Sequence, residues 1–109
     1  MGANKVHGSQ QRMFEDVGQE LGLEWQAQEG SSVEDVRKII RTHFVVVNFY
    51  DAELGNGHFA VMQEVRTKFV VFGDPWFGPD RKMLIADFED CWRPGTYGKT
   101  RWFFAVANN

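Results

Sequence analysis

Phe44 to Tyr50, FVVVNFY, is a nearly continuous run of β-branched and aromatic residues. That composition is expected of a central strand buried on both faces, and it obliges the rest of the chain to supply neighbours for it. Candidates lie on either side. HFAVMQEV (58–65) and KFVVFGD (68–74) read as a hairpin, KMLI (82–85) as a short strand and RWFFAVA (101–107) as a last strand. Leu23, Trp25 and Ala27 alternate with polar residues, as in a short edge strand.

Helical spacing appears three times. Met13, Phe14, Val17 and Leu21 form a stripe from Ser9 to Gly22, with Gly18 weakening its interior. Ser32 followed by Asp35 resembles a capping box for a helix over 32–42, with Val33, Val36, Ile39 and Ile40 on its apolar face. ADFEDCW (86–92) fits one or two turns, and RPGTYGKT (93–100) is a loop. The order predicts an α+β fold: an antiparallel sheet with two or three helices.

A chain of 109 residues fits one domain, here 9–109, after a polar segment 1–8 that is expected to fray. Aromatics at 15% can build a dense core or line an interface. The net charge of -3 comes without a basic stripe, which gives nucleic-acid binding no support. No apolar run is long enough to span a membrane, and the N-terminus lacks the apolar core of a secretory signal. The single cysteine, Cys91, excludes an intrachain disulfide, so a cytoplasmic setting is expected. His7, His43 and His58 share no metal-ligand spacing, and neither GPDRK nor GTYGKT matches a phosphate loop. No metal or cofactor is expected.

The hairpin carries the chemistry. A three-residue loop, Val65-Arg66-Thr67, sets Glu64 opposite Lys68, Met62 opposite Val70, Ala60 opposite Phe72 and His58 opposite Asp74. A two-residue loop at Arg66-Thr67 would divide His58 and Asp74 between the two faces. In the first register an imidazole meets a carboxylate at the open end of a sheet. Such a carboxylate can fix one ring nitrogen and leave the other to act as a base. A histidine finishing a loop and an Asp-Pro turn are the plainer reading. Gly57 precedes the ring, and Trp76 and Phe77 follow Asp74 as a lid over the core or an aromatic wall able to hold a peptide.

VVVNFYD, GHFAVMQEV and FVVFGDPWFGPDRKMLIADFEDCW together resemble the later half of the bacteriocin-processing, double-glycine leader peptidases, which are papain-like cysteine peptidases. The matching positions are Tyr50-Asp51, His58, Asp74-Pro75, Gly78, and Phe88 with Trp92, and the likeness spans roughly 19–107. The resemblance implies the sheet half of a papain-like fold, with His58 as catalytic histidine and Asp74 as its orienting acid. It also requires a cysteine at the start of an N-terminal helix and a glutamine shortly before it. Two readings of that departure stand: the chain begins after the cysteine helix, or QRMFEDVG is its altered form, with Gln11 as the oxyanion glutamine and Val17 in the cysteine's place. Cys91 lies at the wrong end for a nucleophile and beside Glu89 and Asp90, so it reads as a small apolar residue.

The expected function is therefore that of a non-catalytic or truncated relative, with a partial His58–Asp74 dyad and a groove at Gly57, Trp76 and Phe77 for a peptide or protein partner. One alternative is a hydrolase whose nucleophile comes from another chain or a missing N-terminal segment. Another is a structural or interaction protein sharing only the fold. A sheet face lacking its helix would expose an apolar patch, hence an expected homodimer or docked partner.

Overall fold

The computed structural model describes residues 9–75, 78–94 and 98–108. The segment 1–8, expected to fray, lies outside these, as do Trp76 and Phe77. The elements are α1 (Ser9–Glu20), β1 (Trp25–Gln28), α2 (Val33–Ile39), β2 (His43–Asp51), β3 (Asn56–Val65), β4 (Phe69–Asp74), β5 (Gly78–Leu84), α3 (Ile85–Cys91) and β6 (Phe103–Ala107). Six strands form one sheet in the order β1-β6-β2-β3-β4-β5, and every neighbouring pair is antiparallel. This is the expected α+β class. The strand near Lys82 is longer than its sequence suggested, because Gly78 and its neighbours already pair with Asp74.

One sheet face carries the main core. Val45, Val47 and Phe49 of β2 meet Ala60, Met62, Val70 and Phe72, under Val33 and Val36 of α2 and Phe88 and Trp92 of the α3 end. Phe49 stacks on Phe72, and Phe88 stacks on Trp92. Ser32 caps α2: its hydroxyl accepts from the Asp35 amide while the Asp35 carboxylate accepts from the Ser32 amide. Arg37 then ties that helix to the hairpin by donating to the Val65 and Arg66 carbonyls at 3.0 and 3.2 Å.

Among the described residues, α1 is the helix that packs on the other face. Phe14 meets the rings of Phe59, Trp102 and Phe104, and Trp25 stacks on Phe104. The apolar stripe of α1 does not all turn inward. Gln11, Phe14 and Gly18 face the sheet, whereas Met13, Val17 and Leu21 are exposed. On this face the central strand is buried at Asn48 and half-buried at Val46, but open at its start, with Phe44 60% exposed. No helix among the described residues is long and apolar enough to cross a membrane.

Gly18 is fixed by proximity. A Cβ there would lie 2.7 Å from Cδ1 of Trp25 and 3.2 Å from Cζ of Phe104. Gly18→Ala would gain about 1 kcal/mol in an open helix. Here the clash outweighs that gain, and thermal denaturation is expected to show a Tm several degrees lower. A raised Tm would contradict this packing.

Candidate functional site

The hairpin register differs from the expected one, and the difference is what brings the site together. The tip is a two-residue loop, Thr67-Lys68, closed by the Arg66 amide donating to the Phe69 carbonyl at 2.8 Å. Val65 pairs with Val70 and Glu64 with Val71. Continued without interruption, that register would set Asp74 opposite Val61, on the face away from His58. A bulge between Met62 and Glu64 inserts Gln63 as an extra residue, so Met62 pairs with Phe72 and Val61 with Gly73. His58 and Asp74 thereby share the core face.

There the His58 ring meets Asp74, with Nε2 2.8 Å from Oδ1. An ionised carboxylate only accepts, so Nε2 carries the proton in this pair. His58 is 5% exposed, and its ring stands edge-on to Phe49 at a centroid separation of 5.4 Å. Among the described residues Nδ1 makes no hydrogen bond.

The second oxygen of Asp74 is also engaged. Arg81 stands opposite Phe72 in β5, which turns it to the same face. Its Nη1 donates to Asp74 Oδ2 at 2.7 Å and to Asp51 Oδ2 at 3.2 Å. Asp51 ends β2 and accepts the Glu53 and Leu54 amides through Oδ1 at 2.9 and 3.2 Å, which turns the chain toward Gly55. Burial opposes the charge of Arg81, but its hydrogen bonds to the two carboxylates hold its pKa above the ordinary value. The result is a run of imidazole, carboxylate, guanidinium and carboxylate drawn from four neighbouring strands, buried except at the partly exposed Arg81. Arg81 and Asp51 went unrecognised in the sequence as site residues. Tyr50-Asp51 marked one position, but nothing local signalled that β5 would deliver a cation.

Gln11 lies elsewhere. Its Nε2 donates to Asn48 Oδ1 at 2.9 Å and to the Lys99 carbonyl at 3.0 Å, and its Oε1 accepts the Lys99 amide at 2.7 Å. Both amide hydrogens and the oxygen are occupied within the chain, so nothing of this side chain is left to stabilise an oxyanion. Asn48 also neighbours Phe49 along β2, and alternation sends their side chains to opposite faces. Gln11 thus packs on the side of the sheet away from the imidazole, and Val17 on that same helix is 49% exposed. The structure does not bring α1 to His58 as a cysteine helix would require.

Cys91 lines a hollow of about 270 Å³ with Phe49, Asp51, Arg81, Met83 and Asp87, among others; His58 is not part of that wall. Its Sγ lies 3.8 Å from Met83 Sδ, and burial pushes the thiol pKa up. Gly57 pairs with Tyr50 beside the His58 strand position, while the expected aromatic wall of Trp76 and Phe77 falls outside the described residues. No group of three or more metal-ligating side chains occurs among the described residues.

Comparison with family models, with curated proteins and with solved structures found no match to this chain.

Two outcomes follow from the geometry. Asp74→Ala would leave Arg81 and the His58 Nε2 hydrogen without their main buried acceptor, and urea denaturation should show a loss of about 3–5 kcal/mol. A loss below about 1 kcal/mol would mean that the carboxylate is not the hub. Cys91, with less thiolate than an ordinary thiol at neutral and mildly alkaline pH, should react with a disulfide reagent at least ~10-fold more slowly than free cysteine. Faster reaction would show an activated sulfur.

Proposed function

We propose that this chain is a non-catalytic relative of the double-glycine cysteine peptidases, and that it acts by binding a peptide or protein partner in a reducing, cytoplasmic setting. The observation that carries this reading is the separation of the parts an acyl-transfer enzyme must combine. His58 is committed to Asp74 in the orientation a catalytic pair would have. The chain's one thiol packs against Met83 in a hollow whose wall does not include His58, with its ionisation opposed by burial. An imidazole–carboxylate pair without a nucleophile cannot form a covalent acyl intermediate. Buried beside Arg81 and Asp51, the pair instead ties four neighbouring strands to one another.

One feature favours a second reading, in which another chain contributes the nucleophile. With Nε2 on the acid, Nδ1 is the ring atom that would take a proton from an incoming thiol, and it has no hydrogen-bond partner among the described residues. The two readings separate in one assay. The purified chain is incubated with a fluorogenic peptide ending in a Gly-Gly cleavage site, alone and with a thiol-bearing cell fraction. The first reading expects no cleavage above buffer in either case. Cleavage by the pure chain that disappears in His58→Ala would overturn it, and cleavage only in the mixture, again dependent on His58, would favour the second.

A further inference from the structure

The corner that leads into His58 holds a reactive peptide bond. Asn4, Asn48 and Asn108 precede Lys5, Phe49 and Asn109, whereas Asn56 precedes Gly57. The carboxamide of an asparagine lies within reach of the next residue's backbone nitrogen. A side chain on that next residue hinders the approach, and glycine carries none.

Register shows which backbone groups of this corner are engaged. The Asn108 amide donates to the Thr42 carbonyl at 2.9 Å and His43 pairs with Ala107, so the even positions of β2 bond toward β6. The odd positions bond toward β3. Asp51 with Asn56 and Phe49 with His58 are therefore hydrogen-bonded pairs, and Tyr50 with Gly57 is the unbonded pair between them. The Gly57 amide points away from β2. Asn56 is exposed, and as the first residue of β3 it belongs to the pair that opens most easily. Alternation puts its side chain on the face shared by Asp51 and His58.

We propose that Asn56-Gly57 is a self-modifying site, at which the folded chain converts Asn56 to isoaspartate and aspartate. The Gly57 nitrogen gives its proton to solvent base and attacks Cγ of Asn56. The new C–N bond closes a cyclic succinimide, and the carboxamide nitrogen leaves as ammonia with a proton drawn from water. Water then adds to one of the two ring carbonyls. Opening at one yields aspartate, and opening at the other yields isoaspartate. Water is the only co-reactant, and nothing is oxidised or reduced.

Both products act on the His58 network. Aspartate at position 56 sets a carboxylate directly opposite Asp51, about 5.5 Å away at Cα, and like charges so placed destabilise a strand pair. Asp51 already shares the Arg81 guanidinium with Asp74. In isoaspartate the main chain runs through Cβ and Cγ, one atom longer between positions 56 and 58. The Asp51 pair and the Phe49–His58 pair then cannot both keep their ladder bonds. The strand end that carries the imidazole is loosened, whatever the His58 face binds.

The test holds the intact chain at mildly alkaline pH and physiological temperature, folded and in urea, and follows it by tryptic peptide mapping. Isoaspartate is identified by enzymatic methylation. Asn56 should convert before any other asparagine, while the buried Asn48 keeps its amide. The folded chain should convert no more than about 10-fold more slowly than the chain in urea, as befits a strand end that opens at little cost. Greater slowing would mean that the fold seals this peptide, and would overturn the proposal, as would earlier conversion of another asparagine. Aged protein, isolated by anion exchange, should show a Tm several degrees lower. Fresh Asn56→Asp, with the carboxylate but the ordinary backbone, should shift the same way. Asn56→Gln, whose longer side chain does not close this ring readily, should keep its mass and Tm under the same treatment. Loss of Tm in Asn56→Gln as fast as in the parent chain would place the cause elsewhere and overturn the proposal. Conversion at Asn56 with an unchanged Tm would overturn its link to the His58 strand.

Discussion

A carboxylate buried in an apolar sheet must find hydrogen bonds and an opposing charge, or it takes up a proton. Asp74 has both, one oxygen on the His58 ring and the other on Arg81. Arg81 in turn reaches Asp51, whose remaining oxygen holds the turn after β2. Four neighbouring strands of one sheet therefore each contribute a side chain to a single polar chain. Removing a member takes a hydrogen bond from each neighbour it touches, and Asp74, which touches two, is the member on which most depends. Arg81 also lies over the Phe49 ring, whose edge relation to His58 closes the group from the apolar side. The bulge at Gln63 is the backbone condition for this, since without it Asp74 and His58 would look in opposite directions.

The two faces of the sheet carry different polar networks. On one, the His58–Asp74–Arg81–Asp51 chain borders the Phe49, Phe72 and Phe88 cluster. On the other, Gln11 is held by Asn48 and Lys99. They meet through the backbone, because Asn48 Nδ2 also donates to the His58 carbonyl at 3.2 Å. A displacement of α1 would thus reach the His58 strand through Gln11 and Asn48. That route is mechanical, through packed and hydrogen-bonded groups, and does not make Gln11 part of the imidazole's surroundings.

Much of this fold was legible in the sequence because local and long-range signals agreed. The run at Val45–Val47, the capping pair Ser32 and Asp35, and the Phe88–Trp92 turn all take the structures their composition favours. The pairing of His58 with Asp74 was also legible, though by a register that the protein does not use. Charge pairing of Glu64 with Lys68 suggested a three-residue loop, whereas the chain adopts a tighter turn and recovers the same face with a bulge. A bulge leaves little local trace, and Gln63 is a glutamine among alternating residues. Arg81 was hidden because its role depends on where β5 docks. The stripe of α1 misled for a similar reason: Met13 and Val17 have the spacing of core residues, yet the helix is rotated to place Gln11 and Gly18 against the sheet.

The tautomer of His58 reports on this arrangement with the fewest intervening assumptions. Long-range nitrogen–proton NMR correlation of the imidazole, near neutral pH, should show a protonated Nε2 with a slowly exchanging, downfield proton and an unprotonated Nδ1. Asp74→Asn should remove that signature. A ring carrying its hydrogen on Nδ1, or averaging between tautomers as an exposed histidine does, would contradict the pairing of His58 with Asp74 on which the rest is built.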